Sequence, residues 1–202
     1  MVVTAEQVKK LREATGVGIL DCQKALKETD GDYKKAIDIL RERGLAIAAK
    51  RADRTASEGI IELYSHGGGR IGVIVEVNCE TDFVARSEAF REFAHEVALQ
   101  IAATSPSFVK EVDIPETFLN HEREIAHAQA ISEGKPAALL EKIVNGRIDK
   151  IKNEVCLLRQ PYIRDEDITI EKLLMEKVSA IGENIIIRRF TRWQLGESAE
   201  VE

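Results

Sequence analysis

The apolar positions of this chain change period along its length. At the start they recur at helical spacing. Thr4 and Gln7 stand as a capping box, and Val3 and Val8 occupy the staple positions around it. Val8 and Leu11 share one face, and Gly16 and Gly18 end that helix. A second helix is predicted over 19–28. Thr29-Asp30-Gly31-Asp32 makes a turn whose last residue is a good N-cap. A third helix is predicted over 33–43, with Ala36, Ile37 and Leu40 inward, Gly44 just past its end, and helix resuming over 45–52.

The period then shortens to two. Runs 60–64 and 71–78 are rich in β-branched residues, and Ser65-His66-Gly67-Gly68-Gly69-Arg70 joins them, which predicts a hairpin. Phe90, Phe93, Ala94, Val97 and Ile101 return to helical spacing until Ser105-Pro106. Further helices are predicted over 116–133, from Pro136 along a stripe that runs from Leu140 to Leu158, and over 167–181. Residues 185–193 alternate as a last strand, which must return to the hairpin. Strands, then helices, then a strand predict an α+β fold: a three-helix N-terminal module, then a small antiparallel sheet covered by helices. The expected domains are the module at 1–50, a polar linker at 51–59, an α+β core at 60–195 and an acidic flexible tail at 196–202. A tethered module suggests a second contact point for a partner.

Composition narrows the function. Hydrophobic residues make up 44% of 202 residues, enough for a core, but aromatics only 5%, so that core must be mostly aliphatic. A net charge of -6 argues against a chain that grips nucleic acid along a basic face. No apolar run approaches the ~20 residues of a membrane span, and MVVTAEQVKK has no signal-peptide anatomy. Three scattered cysteines, Cys22, Cys79 and Cys156, suggest reduced thiols and a cytoplasmic home.

Several catalytic patterns fail on context. Gly67-Gly68-Gly69-Arg70-Ile71-Gly72 matches GxGxxG, but a strand follows it where a dinucleotide site needs a helix. His66-Gly67-Gly68-Gly69 has no accompanying GxSxG nucleophile elbow. His95-Glu96 and His121-Glu122 lack a second His at i+4, so no metal site is expected and these read as solvated surface histidines. Cys22 and Cys79 read as small buried hydrophobes. No catalytic residue and no cofactor are expected. Lys50, Arg51 and Arg54 read as a solvated linker, with phosphate contact as the alternative; Arg188, Arg189 and Arg192 can blunt a sheet edge.

The segment Thr81-Asp82-Phe83-Val84, at a strand-to-helix corner, stays open on residues alone. Asp82 can cap a helix and Phe83 can fill the core beside Phe90, or the pair can form a tip that enters another protein.

Two stretches resolve toward a family. Residues 11–26, LREATGVGILDCQKAL, and 77–86, VNCETDFVAR, closely resemble the signature stretches of translation elongation factor Ts, as do the HGGGR loop and IGENIIIRRF at 181–190. Ile19-Leu20 stands where the family often has Met-Met, Val17 for Ala, Gln23 for Lys and Ser87 for Asn. The length resembles the family's short form. The resemblance implies a module similar to ubiquitin-associated domains and a nucleotide exchange factor, not an enzyme, that expels GDP from elongation factor Tu. It implies that Thr81, Asp82, Phe83 and Val84 enter the partner near its magnesium site. It further implies that Val8, Leu11, Arg12, Ile19 and Leu20 dock the module, and that His66, Gly67 and Arg70 belong to a core contact loop. A homodimer binding two partner molecules is implied too. An RNA or ubiquitin adaptor built on the module is the alternative.

Overall fold

The computed structural model describes residues 3–197; the expected acidic tail lies outside the described residues from Ser198 onward. The chain forms two compact units. Among the described residues, one gathers 3–61, 76–94 and 172–187, and the other 62–75, 95–171 and 188–197.

The first unit opens with α1 (Ala5–Thr15), α2 (Ile19–Glu28) and α3 (Tyr33–Arg51). Their ends follow the local chemistry. Thr4 Oγ1 accepts from the Gln7 amide at 3.2 Å, and Gln7 Oε1 accepts from the Thr4 amide at 2.9 Å. Gly16, at φ 69°, donates its amide to Arg12 O at 2.8 Å. Asp32 caps α3 by accepting from the amides of Lys34 and Lys35, and the Lys35 amide leads in holding its carboxyl below the usual range. Val8, Leu11, Cys22, Ala25, Leu26, Ala36 and Leu40 close the small core, with Val3 and Ile37 packed on it.

Gly44 does not end α3, contrary to the sequence expectation. It is buried inside one continuous helix, where an added Cβ would lie 3.2 Å from Ser179 Cβ. Glycine serves here for close packing against α8 (Ile170–Ile181) rather than for termination. Arg41 Nε meets Glu176 Oε1 at 3.0 Å, and Arg51 Nη1 donates to Val178 O at 3.0 Å. Segment 51–59 is also held. Asn184 Nδ2 donates to Ala52 O and Arg54 O, Arg54 pairs with Glu80 at 3.5 Å, and Ala56 is buried. The cations at 51 and 54 therefore answer partners inside the unit.

β1 (Glu58–His66), β2 (Ile71–Cys79) and β5 (Ile186–Gln194) make a three-stranded antiparallel sheet in the order β1-β2-β5. The returning last strand is thus observed. β2 shows its period plainly: Val73, Val75 and Val77 are buried while Gly72 and Ile74 point away. The fold is α+β.

In the second unit, α6 (Glu116–Ser132) and α7 (Leu140–Val155) pack as a helical hairpin over Leu119, Ala126, Val144, Ile148 and Cys156. The long helix expected from Pro136 begins instead with a 3-10 turn at Ala137–Leu139, and α7 starts at Leu140. The helix expected from Asp167 is also corrected. Asp165–Thr169 is strand β4, paired antiparallel with β3 (Pro161–Tyr162), and α8 begins at Ile170. Only Ile168 of β4 is buried, as one face of a short strand requires. Gln100, buried on α5 (Glu88–Thr104), fixes that ribbon by donating to Pro161 O and accepting from the Ile163 amide. Sequence patterning has no access to that contact.

Candidate functional site

β2 ends at Cys79, and one short helix, α4 (Asp82–Ala85), turns the chain before α5. Thr81, not Asp82, is the N-cap: its Oγ1 accepts from the Val84 amide at 3.4 Å. Asp82 is the first residue of α4, and its carboxylate meets Arg86 across one turn at 3.0 Å. Phe83 is 82% exposed, whereas Phe90 is 0% and Phe93 1%. The ring does not fill the core beside Phe90 but stands outward from the corner. Val84 is half-buried and Ala85 buried, so they anchor the α4 corner.

The Thr81 backbone is tied at both ends. Its amide donates to Glu183 Oε2 at 3.0 Å, and its carbonyl accepts from Cys79 Sγ at 3.2 Å and from the Ala85 amide at 3.2 Å. Burial, aided by the Glu183 carboxylate, pushes the Cys79 thiol up to about 11, so at neutral pH it stays a donor. The three cysteines are free and buried, in line with the reading of Cys22 and Cys79 as small hydrophobes.

The docking residues expected on the N-terminal module divide. Val8 is 7% exposed and Leu11 0%; both hold the module's own core and offer almost no side chain to a partner. Arg12 is exposed on the last turn of α1, and Ile19 (54%) and Leu20 (71%) are exposed on the first turn of α2. Gly18, the N-cap of α2, has no side chain to cap the helix that these two residues begin. The resemblance implied docking for Val8 and Leu11, but the helical period they share marks a core face, and their burial follows from it. A hollow within the first unit brings the α1 end and the α4 corner together. Thr15 and Gly16 line one part, Val84 and Ser87 another, and Leu173 and Ala180 of α8 its floor.

The HGGGR loop belongs to the second unit. Gly67, Gly68 and Gly69 all take positive φ (60°, 66° and 86°), a turn that side chains would strain. The Arg70 amide closes it on His66 O at 3.1 Å. This is a hairpin loop, and strand β2 follows it directly. His66 Nδ1 lies 2.9 Å from Tyr64 Oη, and Tyr64 makes an edge contact with His95 at 5.4 Å. His95 in turn lies 2.9 Å from Glu62. His95 is therefore held by a partner rather than simply solvated. Glu62, Tyr64 and His66 alternate along β1, so period two was the available signal; the pairing with His95 was not readable. Among the described residues no group of His, Cys, Asp and Glu could hold a metal ion, and no helix is long and apolar enough to cross a membrane.

Known sequences bear on this arrangement. The family model described as elongation factor TS matches residues 3–197. The elongation factor Ts of Carboxydothermus hydrogenoformans is 57% identical over 195 residues, covering 96% of this chain and 90% of that protein. That of Caldanaerobacter subterraneus subsp. tengcongensis is 56% identical over 198 residues, covering 98% and 99%. That of Moorella thermoacetica is 54% identical over 195 residues, covering 96% of each. On this breadth of match, the chain belongs to the elongation factor Ts family and is a translation elongation factor.

Proposed function

We propose that this chain is a guanine nucleotide exchange factor for elongation factor Tu, acting in the cytoplasm by binding alone and without catalytic residues of its own. The observation that carries the reading is the bare ring of Phe83, 82% exposed at a corner whose backbone is tied down. Moving such a ring from water into a pocket gains about 1.5–3 kcal/mol. That gain can drive a displacement in the partner near its magnesium and phosphates. Magnesium holds near-ideal octahedral geometry, so a small shift in its supporting residues weakens nucleotide binding. Asp82 adds a carboxylate beside the ring, available once it leaves Arg86.

One ring is not sufficient. A ~10⁴-fold fall in GDP affinity needs about 5.5 kcal/mol of coupling. Arg12, Ile19 and Leu20 supply the second contact in this reading, docking the module so that the ring acts at high effective concentration. Reciprocity then requires GDP to weaken the grip of this chain on its partner by the same factor.

We also propose that two copies pair and bind two partners. The outer sheet surface supports this: Leu63 (69% exposed), Ile74 (44%) and Trp193 (75%) ring one apolar hollow with Thr191. His66, Gly67 and Arg70 are assigned to a further partner contact. Stopped-flow release of fluorescent GDP from elongation factor Tu tests the exchange reading, which expects acceleration by wild type and much less by Phe83→Ala. An unchanged release rate with wild type refutes it.

A further inference from the structure

The ring, 82% exposed, has little packing of its own to aim it, so the corner that carries it must fix its direction. The α8–β5 turn lies beside it in the first unit. Glu183, on that turn, reaches the corner with both carboxylate oxygens. Oε2 accepts from the amides of Glu80 and Thr81, each at 3.0 Å. Oε1 accepts from Thr81 Oγ1 at 2.6 Å. The contact is reciprocal: Glu80 Oε1 accepts from the Asn184 amide at 2.6 Å and pairs with Arg54. Three donors on one carboxylate make a charge-assisted clamp with little angular freedom. Thr81 is also the N-cap of α4, so whatever orients Thr81 orients the first turn and the ring on it.

We propose that Glu183 is a positioning residue: its clamp on Glu80 and Thr81 sets the direction in which Phe83 projects, and the speed of nucleotide release depends on it. This rests on the exchange reading above. Without the clamp the corner would have to be ordered during insertion, which slows insertion while leaving the module's docking contacts untouched. Glutamine is the informative conservative change. Its carbonyl can still accept from both amides, but its NH₂ group faces the Thr81 hydroxyl and the charge is gone.

The test measures GDP release from elongation factor Tu against the concentration of this chain. For Glu183→Ala the saturating release rate is expected to fall about tenfold, while the half-saturating concentration stays within about threefold. Glu183→Gln should fall between Ala and wild type, and it carries the test if the alanine variant does not fold. In a Phe83→Ala background, adding Glu183→Ala should lower the saturating rate no further, because the residue acts through the ring. A saturating rate for Glu183→Ala equal to wild type overturns the proposal. So does an equal loss in both backgrounds, which would mark a general structural role. Amide hydrogen exchange of the free chain separates this from failure of the exchange reading. Glu80 and Thr81 amides should exchange roughly tenfold faster in Glu183→Ala. If wild type fails to accelerate release, the exchange reading falls and the positioning role falls with it. If wild type accelerates release and the two amides exchange at equal rates in both chains, the exchange reading stands and the clamp is refuted.

Discussion

Two phenylalanines in one short stretch have opposite fates. Phe90 is fully buried and Phe83 is nearly bare. The difference comes from position: Phe90 sits on the inward stripe of α5, whereas Phe83 follows a cap on a helix too short to have a stripe. The stripe was legible from Phe90, Phe93, Val97 and Ile101. The bare ring was not, because an aromatic after a cap fits either fate. Urea denaturation should separate them, with Phe90→Ala losing about 3–5 kcal/mol and Phe83→Ala changing stability by less than about 0.5 kcal/mol. A large loss for Phe83→Ala would mean that the ring packs within its own chain. The same reasoning divides Val8 and Leu11 from Ile19 and Leu20. The first pair are core residues, of which only Leu11 falls within the signature at 11–26, and the second are exposed apolar residues with no structural need.

At the scale of elements, the predicted strands, caps and most helices are observed because local chemistry dictates them. The capping box at Thr4, the glycine at the end of α1 and the period-two alternation of β2 all act within a few residues. What stayed hidden depends on contacts distant in sequence. Gly44 reads as a terminator in sequence, yet it lies inside α3, where α8 comes so close that an added Cβ would sit 3.1–3.2 Å from the Ser179 side chain. Two glycines inside helices should therefore respond differently to alanine. Gly146 on α7 has nothing within 4 Å of an added Cβ, so Gly146→Ala should stabilise the protein by about 0.5–1 kcal/mol. Gly44→Ala must displace Ser179, whose Oγ would lie 3.1 Å away, and should gain nothing or destabilise. Thermal unfolding of the two variants checks this, and an equal gain in both would contradict the packing role. β4 was missed for a related reason: its partner β3 is two residues long, and the ribbon is fixed by Gln100 on another helix.

At the scale of the whole molecule, two consequences reach beyond one element. The apolar sheet surface should hold copies together, so Trp193→Glu is expected to shift sedimentation equilibrium from dimer to monomer mass; a wild-type monomer at micromolar concentration would contradict that pairing. Cys79 gives the second. Its ordinary value is 9.0 and the folded chain pushes it up to about 11. As pH rises past 9 the unfolded thiol ionises first, so stability is intact below that and falls between about 9 and 11. Cys79→Ala should make the alkaline fall shallower without abolishing it, because burial raises Cys22 and Cys156 too. The central claim is that an outward ring on a pinned corner weakens the hold of another protein on its nucleotide. Stopped-flow release of fluorescent GDP from elongation factor Tu, at saturating wild type or Phe83→Ala, tests it most directly. The account expects rapid release with wild type and a saturating rate at least about tenfold lower for Phe83→Ala, with half-saturation little changed; equal saturating rates would contradict it.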